Sequence, residues 1–491
     1  MYGYLKRLLT TGAAYQAADV VSKVIALGLL PVYTRHLSRA DYGVAELLLT
    51  LVILTSIVVR LGIGEAFVRF HFLDDDADRR RRVARASTGF LLVATTAAAV
   101  AAALLAGPLS RLVLGYEDAG TLRIAVLGLW AFTNLELAYA LLRVEERART
   151  YLVASLTNVL ITIGLTLYLV VFRGEGARGL LAGNFVATAV VLLGLWWALR
   201  DRFGVVPERA ALAELRPMLR FGLPTVPAEM SVFLLNVVDR FYLFRHESEG
   251  AAGLYSLAVK LAAVVVFTVR AFQYAWPPLA YSIEDDAEAG RVYSFVTTYY
   301  VLVTGVVVAA LALLGRWVVR LFAAPSFYPA HEALPWVALG WALYGLFLVF
   351  VVMAGRAQVT TRNFPAAAAG LVVNVVLLVL LVPPLGIAGA GVALCGAYAV
   401  MLALMYLLTR SLFAVAFQWT RLAQIVVIAG GVTVAADLLL PTSGVVGFLA
   451  RAAALGAIPL LLVAVRFFRP DEIARMRMLA GRLRPSPSTP G

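Results

Sequence analysis

What the chain lacks narrows its class before any motif is read. Cys395 is the sole cysteine in 491 residues, which excludes an internal disulfide and any cysteine-rich metal site. The four histidines, His36, His71, His246 and His331, show no metal-ligand spacing, so no metal is expected. Only 14% of the residues are charged, against about 25% in a soluble domain, and no polar stretch is long enough to fold by itself. Lysine is nearly absent: Lys6, Lys23 and Lys260 are the three, and arginine supplies the rest of the 42 basic residues. No loop between apolar runs could carry the catalytic acids that a membrane glycosyltransferase or polysaccharide polymerase needs on the outer face. An enzyme is therefore not expected, and no cofactor is implied.

What is present is apolar surface. Hydrophobic residues make up 62% of the chain and the mean hydropathy is +0.87, the composition of an integral membrane protein. Runs long enough to cross a bilayer as helices fall at 11–33, 42–66, 83–106, 121–142, 151–172, 177–199, 218–244, 251–275, 293–314, 331–354, 364–383, 386–409, 421–440 and 444–467. An all-α polytopic protein of about 14 spans is expected. The first run reads as a retained helix and not a cleaved signal peptide. The net charge of +13 sits on loops, as cytoplasmic flanks do, and not as a nucleic-acid surface. With both termini in the cytoplasm and these span bounds, cytoplasmic segments hold 23 of the 42 basic residues and the other side 7, the remaining 12 lying within spans. Both termini are therefore expected in the cytoplasm.

The chain is duplicated. Residues 35–78, shifted by 210 positions, lie without a gap on 245–288 with 11 identities in 44, where chance gives roughly three or four. Arg35/Arg245, Ser38/Ser248, Gly43/Gly253 and Arg60/Arg270 are among the matched pairs. Further on, Arg111-Leu112 matches Arg320-Leu321, Asn158 matches Asn374, and Gly176-x-x-Gly179 matches Gly386-x-x-Gly389. Six spans separate the copies, so both run the same way and the repeats are parallel. Two pseudo-symmetric six-helix lobes around a central cleft follow, plus a C-terminal helix pair. The expected divisions are an N-lobe at 1–199, a linker at 200–217, a C-lobe at 218–409, helices 13 and 14 at 410–469, and a tail at 470–491. The tail ends in Pro-Ser-Pro-Ser-Thr-Pro-Gly, a composition that favours disorder.

Several stretches carry a resemblance. Leu30-Pro31-x-Tyr33-Thr34-Arg35-x-Leu37-Ser38-x-x-Asp41-Tyr42-Gly43 resembles the first-loop signature of polysaccharide-biosynthesis proteins, the Wzx-type oligosaccharide flippases of the multidrug/oligosaccharidyl-lipid/polysaccharide (MOP) exporter superfamily. So do Gly222-Leu223-Pro224-x-x-Pro227, and Asp239-Arg240 followed by Gly253-Leu254-Tyr255-Ser256-x-Ala258-x-Lys260. The resemblance implies transfer of undecaprenyl-pyrophosphate-linked oligosaccharides between leaflets of the bacterial cytoplasmic (inner) membrane by alternating access. Its implied partners are that lipid-linked glycan, membrane lipids, a polysaccharide polymerase and glycosyltransferases. A multidrug or small-cation exporter of the same superfamily is the alternative reading, and a non-transporting scaffold for cell-wall assembly is a further one.

Charges inside the spans are the candidate site residues, because a central arginine costs about 2.5–3.5 kcal/mol on insertion scales. Arg60 and Arg270, each late in its span and each the other's repeat partner, are the substrate-binding candidates. Related flippases place arginine in the central cavity, where its planar fork suits a pyrophosphate. Snorkelling to the headgroups is the competing account. Asp19 and Lys23 stand four apart, spaced either for a structural ion pair or as an ion-coupling site for a proton or sodium gradient. Glu46, Glu136, Glu229 and Asp437 are further coupling candidates that spacing does not separate. Arg35, Asp239 and Arg240 form a candidate outer gate. Adjacent residues do not share a helix face, so Asp239 and Arg240 should find different partners. Pro224 and Pro227 should kink or break the seventh span.

Overall fold

A capping box starts the first long helix. Ser38 Oγ accepts from the Asp41 N–H at 3.0 Å, and Asp41 Oδ2 accepts from the Ser38 N–H at 3.3 Å. Two donors that a helix start leaves open are thereby satisfied, and helix α1 runs Arg39–Arg60. Asp41 Oδ1 also accepts from the Ala177 N–H at 3.2 Å. Thr34 Oγ1 accepts from the Ala324 N–H at 3.0 Å, and the Tyr42 ring meets Phe327 edge-on. The signature of the first loop is therefore a set of caps and ties, and no chemistry is needed to explain it.

This computed structural model describes residues 25, 27–73, 76–200, 209–235, 237–357, 359, 362–412, 414–469 and 472. After α1 come α2 (Ile63–His71), α3 (Ala77–Leu104), α4 (Ala106–Leu114), α5 (Ala119–Val144), α6 (Ala148–Leu167) and α7 (Gly176–Ala198). Three short helices follow, α8 (Arg209–Gly222), α9 (Thr225–Leu235) and α10 (Val238–His246), then α11 (Glu249–Leu261) and α12 (Ala263–Tyr281). The rest is α13 (Asp286–Phe322), a 3-10 segment Pro325–Glu332, α14 (Leu334–Arg356), α15 (Asn363–Thr409), α16 (Trp419–Leu439) and α17 (Gly444–Ala464).

No strand occurs among the described residues. Ten helices there are long and apolar enough to cross a membrane, or up to twelve if each of two bent pairs counts as one span. The expected count of fourteen is not confirmed among the described residues. The first, 11–33, lies mostly outside the described residues, and the eleventh and twelfth run together as the 47-residue α15, which bends at Gly386. The seventh is corrected more deeply. Pro224 does break it, between α8 and α9 with a 47° bend, but a second turn separates α9 from α10. Asp239 and Arg240 therefore occupy the first turn of a separate helix.

Chain contacts define two compact units, a different partition from the repeat-based lobes. The first comprises Met1–Leu261, Val319–Ala333 and Ala367–Ala397. Within it α5 packs on α7, α7 on α6, α3 on α5, and α11 along α1, around a core that includes Phe67, Leu91, Leu142 and Leu192. Buried hydroxyls and amides bridge helices: Thr133 to Ser56 at 3.0 Å and Asn134 to Thr95 at 2.9 Å, the interhelical bonds expected where no water competes. The second unit comprises Ala262–Val318, Leu334–Ala366 and Tyr398–Gly491. There α12 packs on α14 and α16 on α17. Val426, Val427, Leu438 and Leu439 on α16 are exposed, as lipid-facing side chains are. Arg421 holds Glu472 through two 3.0 Å bonds and lies 4.3 Å from the Phe467 ring centroid.

The duplication reappears as matched local geometry. Ser248 caps α11 by accepting from the Ala251 N–H at 3.0 Å, as Ser38 caps α1. Gly176 and Gly386, paired by sequence, have φ of +55° and +54°, positive values that glycine adopts without strain.

Asp118 caps α5 and illustrates a pH-dependent tie outside the spans. It accepts from the Thr121 N–H at 3.0 Å, the Thr121 hydroxyl at 2.5 Å and Arg178 Nη2 at 2.6 Å. Burial raises its pKa, but the bonds from Thr121 and Arg178 outweigh that and hold it below the ordinary carboxylate value. A depressed carboxyl stabilises the fold above its unfolded pKa and loses that contribution as pH falls through the folded one. Asp118→Ala should cost about 0.5–2 kcal/mol at neutral pH through the lost cap. Asp118→Asn keeps a cap but should narrow the gap between melting temperatures measured at neutral and acid pH in detergent. An unchanged gap would show that Asp118 contributes no such tie.

Candidate substrate site

Close backbone approach builds the site. Helix α1 ends in two left-handed residues, Leu61 (φ 48°) and Gly62 (φ 72°). Gly62 lies against Gly222, the last residue of α8, so tightly that a Cβ on either would collide with the other's carbonyl. Only glycine fits at both places. That contact brings the end of α1 to the first turns of α9, where Arg60 Nη2 donates to Glu229 Oε1 at 2.5 Å. The Arg60 side chain is 16% exposed and that of Glu229 34%. Arg60 Nε is buried and bonds to nothing among the described residues, so the guanidinium keeps a donor in reserve.

A cavity of about 460 Å³ opens beside this pair, lined by Arg60, Glu65, Arg69, Glu136 and Arg143 over an apolar floor that includes Val68 and Leu91. Glu65 and Arg69 are four apart on α2, and Glu136, Ala140 and Arg143 follow helical spacing on α5. Counting Glu229, three guanidinium groups meet three carboxylates, so the cavity's own side chains are balanced in charge. An anion entering it competes with carboxylates already in place. Sequence reasoning picked out Arg60 but missed Arg69, Arg143 and Glu65, and had Glu136 and Glu229 only as undifferentiated acids. The usable signal was the Leu-Gly-Ile-Gly break at 61–64, which re-aims α2, followed by charges at i, i+4.

Arg270 lies on α12 in the second unit and is exposed, with Tyr344 within electrostatic reach. Asp19 and Lys23 lie outside the described residues. Of the other acids, Asp437 pairs with Arg451 at 3.2 Å and Glu46 with Lys260.

The second polar cluster lies where α1 meets α11. Gly43 and Gly253, matched in the repeat, touch each other: a Cβ on Gly43 would strike Glu249 O, and one on Gly253 would strike Arg39 O. Arg39 and Glu249 are themselves a matched pair (249 − 39 = 210), so the crossing is reciprocal, as at a local two-fold axis. Beside it the buried Glu46 accepts from Lys260 Nζ at 2.5 Å, and Lys260 lies 5.1 Å from the Tyr42 ring centroid. Asp239 accepts from the Tyr255 hydroxyl at 2.5 Å, while Arg240 donates to Thr50 Oγ1 at 3.3 Å. The neighbours do find different partners. Arg35 is exposed and takes part in none of these bonds.

The model of the family described as polysaccharide biosynthesis protein matches residues 9–284, more than half the chain. The chain belongs to the polysaccharide biosynthesis protein family. Among solved structures, it resembles a lipid II flippase MurJ in an inward closed conformation, with a TM-score of 0.73 at 12% identity over 94% of this chain and 99% of that one. It also resembles an inward-facing multidrug resistance MATE family transporter of the MOP superfamily, with a TM-score of 0.66 at 16% identity over 82% and 94%. At such identities the likeness is one of fold. No curated protein sequence matches the chain. This member of the polysaccharide biosynthesis protein family is thus a multi-pass membrane protein with the fold of MOP transporters. The first-loop stretch that suggested the family is the one that caps α1 and ties it to α7 and the 3-10 segment.

Proposed function

We propose that this protein is a flippase that moves an undecaprenyl-pyrophosphate-linked oligosaccharide from the inner to the outer leaflet of the bacterial cytoplasmic membrane, for polysaccharide assembly. The observation that carries the reading is Arg60, held by a half-buried Glu229 yet keeping an Nε–H unused among the described residues, on a cavity shared with Arg69 and Arg143. A pyrophosphate brings more negative charge than one carboxylate and can accept from both edges of the guanidinium. Loading therefore exchanges the Arg60–Glu229 pair for an Arg60–phosphate pair. Burial alone does not demand that role, because Glu229 already offsets the cost of burying Arg60. Family membership and the cluster of three arginines supply the rest of the support. Arg270 joins Arg60 by the duplication. The cycle alternates access about the cleft between lobes. A proton or sodium gradient is the candidate drive, with Asp19 and Lys23 as its site, and the polymerase and glycosyltransferases of the same polysaccharide are the partners.

Reconstitution tests the substrate. Vesicles containing the protein should expose a pyrophosphate-linked polyprenyl glycan to an impermeant glycan-cleaving enzyme faster than protein-free vesicles do. Equal rates, together with efflux of cationic dyes, would favour the multidrug-exporter reading instead.

Orientation has its own check. Both termini, the Arg79–Arg82 run and the 200–217 linker face the cytoplasm in this reading. With Cys395 replaced, a cysteine at position 80 should resist impermeant maleimide in intact cells and react after permeabilisation. Labelling in intact cells would reverse the orientation.

A further inference from the structure

The larger cavity of the first unit is separate from the Arg60 site. It measures about 810 Å³ and is enclosed by the end of α2, the start of α3, the α5–α6 turn and the end of α7. Arg80, Arg81 and Arg147 line it with His71, Glu145 and Glu146. Its apolar wall includes Ala84, Leu141 and Leu199.

Three independent features mark it as built to receive a ligand. His71 is 6% exposed, and its Nδ1 is buried with no hydrogen-bond partner among the described residues, where nearly all such atoms are satisfied. Among the described residues Arg147 meets Glu145 at 3.8 Å and Arg81 meets Asp78 at 3.7 Å, neither of them a close fork. The turn that presents Arg147 is strained. Glu146 has φ +55° in a helix-end motif closed by Arg147 N–H to Leu142 O at 2.8 Å, a place where glycine is the usual residue. A left-handed non-glycine residue costs roughly 1–2 kcal/mol, and such strain gathers at functional sites.

The level of the cavity narrows the ligand. Trp197, one residue before Ala198 in the wall, is 74% exposed, and Arg200 sits over its ring at 5.9 Å. Exposed tryptophan beside arginine marks the headgroup layer, and basic pockets at that depth suit anionic headgroups.

We infer that this cavity is a second phosphate site, in which Arg81 and Arg147 hold the phosphate anion of a lipid headgroup or a soluble phosphate ester against His71. Glu145 is the competitor that the phosphate displaces from Arg147. The site neither uses Arg60 nor requires transport.

The test is retention of anionic ligand by the full chain. Purified protein is placed in nanodiscs of phosphatidylcholine with 10-fold less phosphatidylglycerol, and co-isolated phosphatidylglycerol is measured. A second arm measures binding of inorganic pyrophosphate in phosphatidylcholine alone. Arg81→Ala with Arg147→Ala should lower retention about tenfold in whichever arm the wild type binds, and Glu145→Gln should raise it. Loss in the lipid arm identifies a headgroup site, and loss in the pyrophosphate arm a soluble-phosphate site. The gain in Glu145→Gln separates binding from misfolding, because a damaged fold does not bind more tightly. If the wild type binds in neither arm, or all three proteins bind alike, the inference is overturned.

Discussion

Arg60→Ala and Arg270→Ala should each cut export of the glycan by about tenfold or more, since a charge-assisted hydrogen bond contributes about 1.5–3 kcal/mol. The assay is complementation of a flippase-deficient strain with membrane levels of each variant measured alongside. Lysine at either position should restore part of the activity, because it supplies charge without the fork. The Arg60–Glu229 pair makes a further control necessary. Arg60→Ala strands a half-buried carboxylate, and breaking a buried pair from one side is costly in itself, about 3–5 kcal/mol. Arg60→Ala combined with Glu229→Gln removes that penalty. If Arg60 exists only to neutralise Glu229, the double variant exports normally. If Arg60 binds pyrophosphate, the double variant folds well and still fails. Glu229→Gln alone should load substrate more tightly, having lost the competitor. Normal export by both well-expressed alanine variants would leave these arginines as snorkelling side chains with the pyrophosphate bound elsewhere.

A disulfide between α1 and α11 at their starts should abolish transport. An ideal Cβ on Gly250 lies 3.4 Å from the Cβ of Arg39, close to the about 3.5–4.5 Å that a disulfide spans. Arg39→Cys with Gly250→Cys, in a chain whose Cys395 is replaced, should therefore oxidise readily. The reciprocal contact of Gly43 with Gly253 puts these two helices in backbone contact, and alternating access requires that contact to open and close. Oxidised protein should transport at background rate and recover on reduction, while either single cysteine behaves as wild type. Transport at the normal rate by fully cross-linked protein would sink the rocking mechanism, while leaving the arginine proposal intact.

The duplication was open to sequence reasoning because helix starts and turns are local. Ser38 and Ser248 cap the same way, and Gly176 and Gly386 both take a positive φ, since each conformation depends on a few neighbouring residues. The membrane class was likewise carried by composition alone: with 62% hydrophobic residues no soluble surface can be made. The break at Pro224 followed from the missing N–H and the fixed ring. The second break before Asp239 had no such signal. It serves contacts with Tyr255 and Thr50, 16 residues ahead and 190 behind.

Sequence by itself therefore determined the class, the repeat, the caps and one arginine worth testing, all consequences of hydropathy, spacing or local backbone chemistry. Tertiary structure alone decided which acids matter. Glu46, Glu136, Glu229 and Asp437 are equivalent when read along the chain. Folding gives Glu46 to Lys260, Asp437 to Arg451 and Glu229 to Arg60, and leaves Glu136 on the wall of the Arg60 cavity. The Arg60–Glu229 and Lys260–Glu46 pairs each lie beside a close approach of glycines far apart in the chain, Gly62 with Gly222 and Gly43 with Gly253. A glycine's effect there is the distance at which two backbones can pass, and that distance exists only once both helices are in place.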